Sequence, residues 1–223
     1  MFFEYPKATS FGRKIPKSKF YEKAKLNSKL KTKFINQIDK IIWQYKLAPN
    51  TINLDATKGV PEIQILDLFL KTKEVDQEIL TIIDNAIPLP IIFQIHFNNK
   101  VKIKAAYKKP LESNNDKWVF DAYIESNWEI HNVSRKPLPQ VLNLEKLYES
   151  LLTDLIPVEF KSNEKKENIG IQLDIIKQTK LLKKDIETLN TKYKKEKQRN
   201  RQFEINKQIK LKQKELDKLI NRE

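Results

Sequence analysis

Apolar positions recur along this chain with two different periods, and the change of period divides it. From Ile171 to Ile220 neither Pro nor Gly interrupts the run. Ile175, Leu182, Ile186, Leu189, Tyr193 and Phe203 fall close to the three-four spacing of a helical seam. So narrow a stripe cannot be buried in a globule. It asks for a partner helix, either its own other half or another chain. The stripe falters between Lys194 and Gln202, and a second one follows at Ile205, Ile209, Leu216 and Leu219. An antiparallel hairpin and a single helix with a stutter both fit. The hairpin fits better, because the apolar phase changes where charge is densest; the lack of a turn Gly counts against it.

The first two thirds mix both periods. Asn27 or Ser28 caps a predicted helix with a stripe of Leu30, Phe34, Ile38, Ile41 and Tyr45, ending before Pro49 with Trp43 near its end. Residues 50–59 read as a loop with a short strand at 52–54. Residues 62–71 are apolar on both faces, as a central strand is. A helix over 75–87 carries Val75, Ile79, Ile82, Ile83, Ala86 and Ile87 on one face, and Pro88 and Pro90 end it. Strands at 91–97 and 101–107 flank the hairpin signature Asn98-Asn99-Lys100. Trp118, Phe120, Ala122 and Ile124 alternate as in another strand. After a Pro-rich connection at 135–139, Leu144, Leu147, Tyr148, Leu151 and Leu152 mark a helix closed by Pro157. Residues 1–25 read as irregular, punctuated by Pro6 and Pro16. The order implies an α+β domain over 1–160, with a largely antiparallel sheet and packed helices. A polar linker at 161–170 opens a second region, 161–223, a C-terminal helical hairpin or coiled coil.

Charge changes the picture. The net charge is +14. Residues 1–46 hold 12 Lys/Arg against 3 Asp/Glu, residues 161–223 hold 19 against 10, and the middle is mildly acidic. Basic ends on an acidic body suit a polyanion. A composition rich in Lys, Ile and Asn and poor in Gly is also what an AT-rich genome produces. The candidate nucleic-acid contacts are Arg13, Lys14, Lys17 and Lys19 in the N-terminal segment, and Lys194, Lys195, Lys197, Arg199 and Arg201 in the tail. Phe2, Phe3, Tyr5, Phe11, Phe20 and Tyr21 interleave with the first set. They suit base stacking, and they suit anchoring an arm onto the domain.

A set of short strings spans nearly the whole chain. They are Ile15-Pro16-Lys17 with Phe20-Tyr21, Trp43-x-x-Lys46-Leu47-x-Pro49-x-Thr51-x-Asn53, Glu62-Ile63, Ile83-Asp84-x-Ala86-Ile87-Pro88, Ala105-Ala106-Tyr107-Lys108, Ser126-x-Trp128, and Lys195-Glu196-Lys197-Gln198-x-Asn200-Arg201. In these the chain resembles a bacterial family known as domain of unknown function 4391. The resemblance implies a context rather than a reaction: accessory proteins encoded beside helicases and DNA methyltransferases of restriction-like defence systems.

Such a context invites a search for a nuclease. Metal-dependent cleavage of the restriction type wants an acidic residue, then Glu-x-Lys or Gln-x-Lys on the following strand. Glu62-x-Gln64 is followed by Leu66, and Gln94-x-His96 has His in place of Lys. Glu62, Asp67 and Lys104 are the residues to suspect. There is no Cys, only two His and three scattered Gly. That excludes thiol nucleophiles and thiolate metal sites, speaks against a His-based zinc site, for which two His are few, and offers no Gly-rich phosphate loop. Asp84 suits pairing with Lys108. No catalytic residue, metal ligand or cofactor is assigned. The expectation is a cytoplasmic, non-enzymatic adaptor in a DNA-handling, phage-defence assembly, with no membrane partner. Its protein partner would be a helicase or DNA methyltransferase, with DNA or RNA as further ligand. An atypical metal-dependent nuclease and a structural dimerisation protein are the alternatives. The interaction residues are Ile175, Leu182, Ile186, Leu189, Tyr193, Glu196, Gln198 and Asn200, which would also serve a homo-oligomer.

Overall fold

The computed structural model describes residues 2–111, 114–157, 160 and 169–221, apart from the side chains of 114–117, 121–122 and 221. Most of the expected linker at 161–170 lies outside the described residues. The chain divides into two compact units, Met1–Ile156 and Pro157–Glu223. No described helix is long and apolar enough to cross a membrane.

The first unit is α+β and mostly antiparallel. Its strands are β1 (Phe3–Glu4), β2 (Ser10–Ile15), β3 (Ile38–Leu47), β4 (Ile63–Leu70), β5 (Ile91–Phe97), β6 (Lys100–Leu111), β7 (Asn114–Glu125), β8 (Glu129–Ile130) and β9 (Lys136–Pro137). Its helices are α1 (Lys17–Lys23), α2 (Ser28–Gln37), α3 (Pro49–Ile52), α4 (Gln77–Ala86) and α5 (Leu144–Thr153). Strands β2-β3-β4-β5-β6-β7 form one sheet in that order, with β8 beside β6. Only β4 and β5 run parallel within it, because α4 carries the chain back across. The short β1 pairs with β9 instead.

The sheet is covered on both faces, which is why β4 is apolar on both. Phe20 of α1, Phe34 of α2, and Ile79, Leu80 and Ile83 of α4 share one core with Leu66, Leu68, Phe93 and Ile95. Each fully buried aliphatic side chain contributes about 1.5–3 kcal/mol relative to exposure. On the other face, Phe3, Tyr5, Leu151 and Leu155 meet Ile92 and Ile103. Tyr148 of α5 donates to the carbonyl of Ala106 there, at 2.7 Å.

Three expectations need correction. The helix starting at Asn27 is real, and the Asn27 side chain accepts from the Leu30 amide at 2.9 Å. But it stops at Gln37, and Ile38–Leu47 is strand. The cause of the misreading is visible in the register. Ile38 pairs with Leu70, Ile41 with Leu68 and Trp43 with Leu66, with irregularities between Ile38 and Lys40 and between Trp43 and Tyr45. A bulge adds one residue to the two-residue period, so Ile38 and Ile41 share a face at the spacing of a helical turn. The strand expected at 52–54 does not form: α3, which Pro49 opens and Thr51 caps, runs to Ile52, and Asn53 ends it in the left-handed region. The N-terminal segment, expected to be irregular, contains β2 and α1.

The second unit consists of α6 (Ile169–Lys195) and α7 (Arg199–Asn221), packed on each other. The break at 196–198 makes this a hairpin, and Lys212 reaches back to Asp185 at 2.7 Å. The turn does without Gly because a side chain does the work. Glu196 Oε1 accepts from the amides of Lys197 and Gln198, both at 2.9 Å. Gln202 Nε2 donates to the Glu196 carbonyl. These bonds satisfy amides that the start of α7 would otherwise leave bare.

Candidate nucleic-acid interface

The site grows from a fault in the edge of the sheet. Gly12 has φ +60°, the left-handed region where a Cβ is strained. It sits in a register shift between Ser10 and Arg13, so Arg13 lies opposite Trp43 while Ser10 lies opposite Tyr45. The neighbouring strand β3 slips at the same level, between Trp43 and Tyr45. Two residues apart, Trp43 and Tyr45 would ordinarily share a face. The paired bulges separate them. The Tyr45 ring packs against Tyr5, with centroids 4.7 Å apart and planes tilted by 34°, on the α5 side. Trp43 turns to the helical side, beside Leu66.

There it helps line a hollow of about 390 Å³. Phe11, Ile15, Phe20, Trp43, Leu66, Ala86 and Ile87 form the apolar surface. The Phe11 and Trp43 rings lie 4.6 Å apart at 50°. Arg13, Lys14, Lys19 and Lys23 also border it, and none of its described lining residues is acidic. All four cations are exposed, and none forms an ion pair among the described residues. The Arg13 guanidinium sits 4.6 Å above the Phe11 ring, an arrangement that holds a cation over an aromatic face. Lys14, opposite Ile42 in the register, borders the hollow from the other side of the edge strand.

Two polar groups inside are unpartnered. Gln64 is 1% exposed, yet neither its Nε2 nor its Oε1 has a hydrogen-bond partner. The Trp43 Nε1 is likewise buried and unpaired. An unsatisfied buried donor or acceptor costs about 1–3 kcal/mol, so a water or ligand group that reaches these atoms is stabilised by pairing with them.

The wall carrying Ala86 and Ile87 is fixed from below. Lys108, 1% exposed, donates from Nζ to the carbonyls of Asp84 at 2.5 Å and Ile87 at 2.6 Å, and to Asp84 Oδ1 at 3.2 Å. It therefore caps the C-terminus of α4, where carbonyls are otherwise bare. Tyr123 donates to the other Asp84 oxygen. Burial pushes Asp84 up and Lys108 down from their ordinary values. Three acceptors around Nζ and two donors on the carboxylate still suit the ion pair.

Other expected residues fare differently. Lys17, half-buried, donates to the carbonyl of Ile38 at 2.9 Å and closes the α2–β3 junction. Lys194, Lys195, Lys197, Arg199 and Arg201 are exposed around the hairpin turn. A shallow depression there is bordered by Arg201 and Asn200, but also by Glu196 and Glu204. Ile175, Leu182, Ile186 and Leu189 are half-buried along α6, whereas Tyr193 and Phe203 are exposed. Glu196 and Gln198 form the turn.

The three nuclease suspects are not brought together. Lys104 lies opposite Phe93, and Asp67 opposite Gln94, so the two point to opposite faces. Glu62 pairs with Lys46 at 2.7 Å. The structure instead gathers Asp67, Gln94 and His96 on the α5 side. Gln94 Nε2 donates to Asp67 Oδ1 at 2.9 Å, and Arg135 lies 3.3 Å from Gln94 Oε1. His96 Nε2 is 3.3 Å from Asp67 Oδ1 without the alignment of a hydrogen bond, and its ring stacks on Phe69. Sequence reasoning did not link His96 with Asp67, because the α4 crossover separates them. Gln64, considered only beside Glu62, and Lys23 were not among the candidate contacts. An amide inside an otherwise apolar strand was the available signal.

The family model described as domain of unknown function DUF4391 matches residues 3–216. The chain belongs to that family. No curated protein and no solved structure matches it. Ile15, Pro16, Phe20, Trp43, Ala86 and Ile87, which carry the resemblance noted in the sequence, all line the hollow.

Proposed function

We propose that this protein is a non-enzymatic adaptor of a DNA-handling, restriction-like defence assembly, and that its body holds nucleic acid at the basic hollow beside β2. The observation that carries this reading is the acid-free ring of Arg13, Lys14, Lys19 and Lys23 around an aromatic surface. Phosphates supply affinity to such a ring, and aromatic faces accept bases of any sequence. The hairpin is the arm for the larger protein partner, a helicase or DNA methyltransferase. It leaves Leu181, Phe203 and Leu211 more than half exposed, at 57, 70 and 55%. Anisotropy of labelled single- and double-stranded DNA and RNA at rising salt tests the binding. Affinity falls steeply with salt and varies little with sequence. Absence of binding at low salt would leave the charge as a product of genome composition.

A nuclease is the second reading, favoured by Asp67 standing directly opposite Gln94, two residues before His96. Against it, Gln94 donates to Asp67 Oδ1 and itself accepts from Arg135, which ties the pair into a hydrogen-bonded chain. Magnesium- or manganese-dependent cleavage that Asp67→Asn abolishes in the folded protein would favour this reading over the adaptor.

A further inference from the structure

We propose that the hollow beside β2 takes one unstacked base of a single-stranded nucleic acid, with Gln64 and Trp43 reading its edge while the surrounding cations hold the adjoining phosphates. The inference rests on the nucleic-acid reading above and goes beyond it by naming the moiety and the groups that recognise it.

The chemistry of the hollow is two-sided. Its wall is aromatic and aliphatic, its border cationic, and its buried polar groups are unpaired. A purely apolar ligand would leave Gln64 and Trp43 Nε1 bare. A bare phosphate would leave the Phe11–Trp43 surface wet. A nucleobase with its phosphate satisfies all three. Gln64 supplies an amide donor and an acceptor side by side, the pair that matches adjacent groups on a base edge. Trp43 Nε1 adds a donor, and the aromatic rings supply a stacking face. The volume of about 390 Å³ lies within the range of small-molecule sites. It accommodates a base and its sugar but not a duplex, so the base must leave its stack, as when an enzyme extrudes one. A strand end or a single strand offers that at least cost.

The bulges divide two nearby positions of β3 between the faces of the sheet: Trp43 keeps the face of Ile41 and Leu66, with Arg13 opposite it, and Tyr45 turns to Tyr5.

The test uses the full chain and two oligonucleotides of equal length and charge, one bearing bases and one abasic throughout. The wild type prefers the base-bearing strand by about ten-fold, in the range of one stacked base. Gln64→Leu and Trp43→Phe each reduce that preference several-fold and leave the slope of log K against log salt unchanged. Gln64→Leu melts no lower than the wild type, since it removes two unpaired polar atoms. Equal binding of both strands by the wild type overturns the base pocket and leaves phosphate binding intact. An undiminished preference in both folded variants overturns the assignment to Gln64 and Trp43. No binding of either strand at low salt overturns the underlying reading as well. A nucleoside monophosphate that binds more tightly than the strand overturns the strand as occupant in favour of a free nucleotide.

Discussion

The two ends of this chain are equally basic and quite differently built. Around β2 the cations border a hollow with an aromatic wall, unpaired buried polar groups and no described acid. At the turn between α6 and α7 the cations stand in solvent, and the depression among them includes Glu196 and Glu204. The first arrangement gives charge a place to act. The second gives only a field, screened beyond about 8–10 Å at ordinary salt. Net charge alone, which treats the two ends alike, is a poor guide to where a polyanion sits.

The contrast extends to how each region is held, and it can be broken by matched substitutions. Lys108 and Lys212 both pair with an aspartate, but Lys108 is buried beneath α4 and Lys212 is only partly covered on α7, its Asp185 partner exposed. Lys108→Met leaves Asp84 and the last carbonyls of α4 without their cation. Unfolding of that variant by denaturant shows a loss of about 3–5 kcal/mol, together with a weakened base preference as the Ala86–Ile87 wall loosens. Lys212→Met leaves the melting temperature unchanged. A large effect of Lys212→Met would mean that the hairpin depends on its ion pairs more than on its seam.

The next effect in size concerns that seam. Leu182→Asp with Leu189→Asp places two charges in a half-buried stripe, where a charge is poorly solvated. Circular dichroism records the loss of much of the α6–α7 helicity, while nucleic-acid affinity falls by less than about three-fold, a difference under 1 kcal/mol. Unchanged helicity would contradict the packing of the two helices.

The smallest effect lies at the turn. Amides of Gln198 and then Lys197 donate to Glu196 and hold its carboxyl below the usual value. A depressed folded-state value means the stabilisation is present above the ordinary carboxylate range and is lost as pH falls through the depressed value. Glu196→Ala lowers hairpin stability slightly at neutral pH, and the difference from wild type vanishes in acid. A difference that persists at acid pH would assign the effect to something other than the cap.

Much of this could be read from the chain before the structure. The central strand, α4, the β5–β6 hairpin, α5 and the Asn27 cap follow from periodicity and capping chemistry. What escaped did so for identifiable reasons. Bulges in β3 gave Ile38 and Ile41 a helical spacing, and the exposed, cationic β2 has no apolar alternation to reveal it. The side chain of Glu196 did the work expected of a Gly. Of the site, Arg13, Lys14 and Lys19 were legible as cations. Gln64 was not, because its meaning depends on what fails to partner it.

The central claim is that the cations around the hollow, and not those at the hairpin turn, hold the polyanion. The direct test is a salt titration of single-strand binding for two neutralised variants. One carries Arg13, Lys14, Lys19 and Lys23 all changed to Gln, the other Lys194, Lys195, Lys197, Arg199 and Arg201. The first loses roughly a hundred-fold in affinity at low salt, and its log–log salt slope falls by about 0.7 for each phosphate contact removed. The second keeps the wild-type slope and loses only a few-fold. The reverse pattern, with the slope collapsing in the hairpin variant and surviving in the first, would contradict the account.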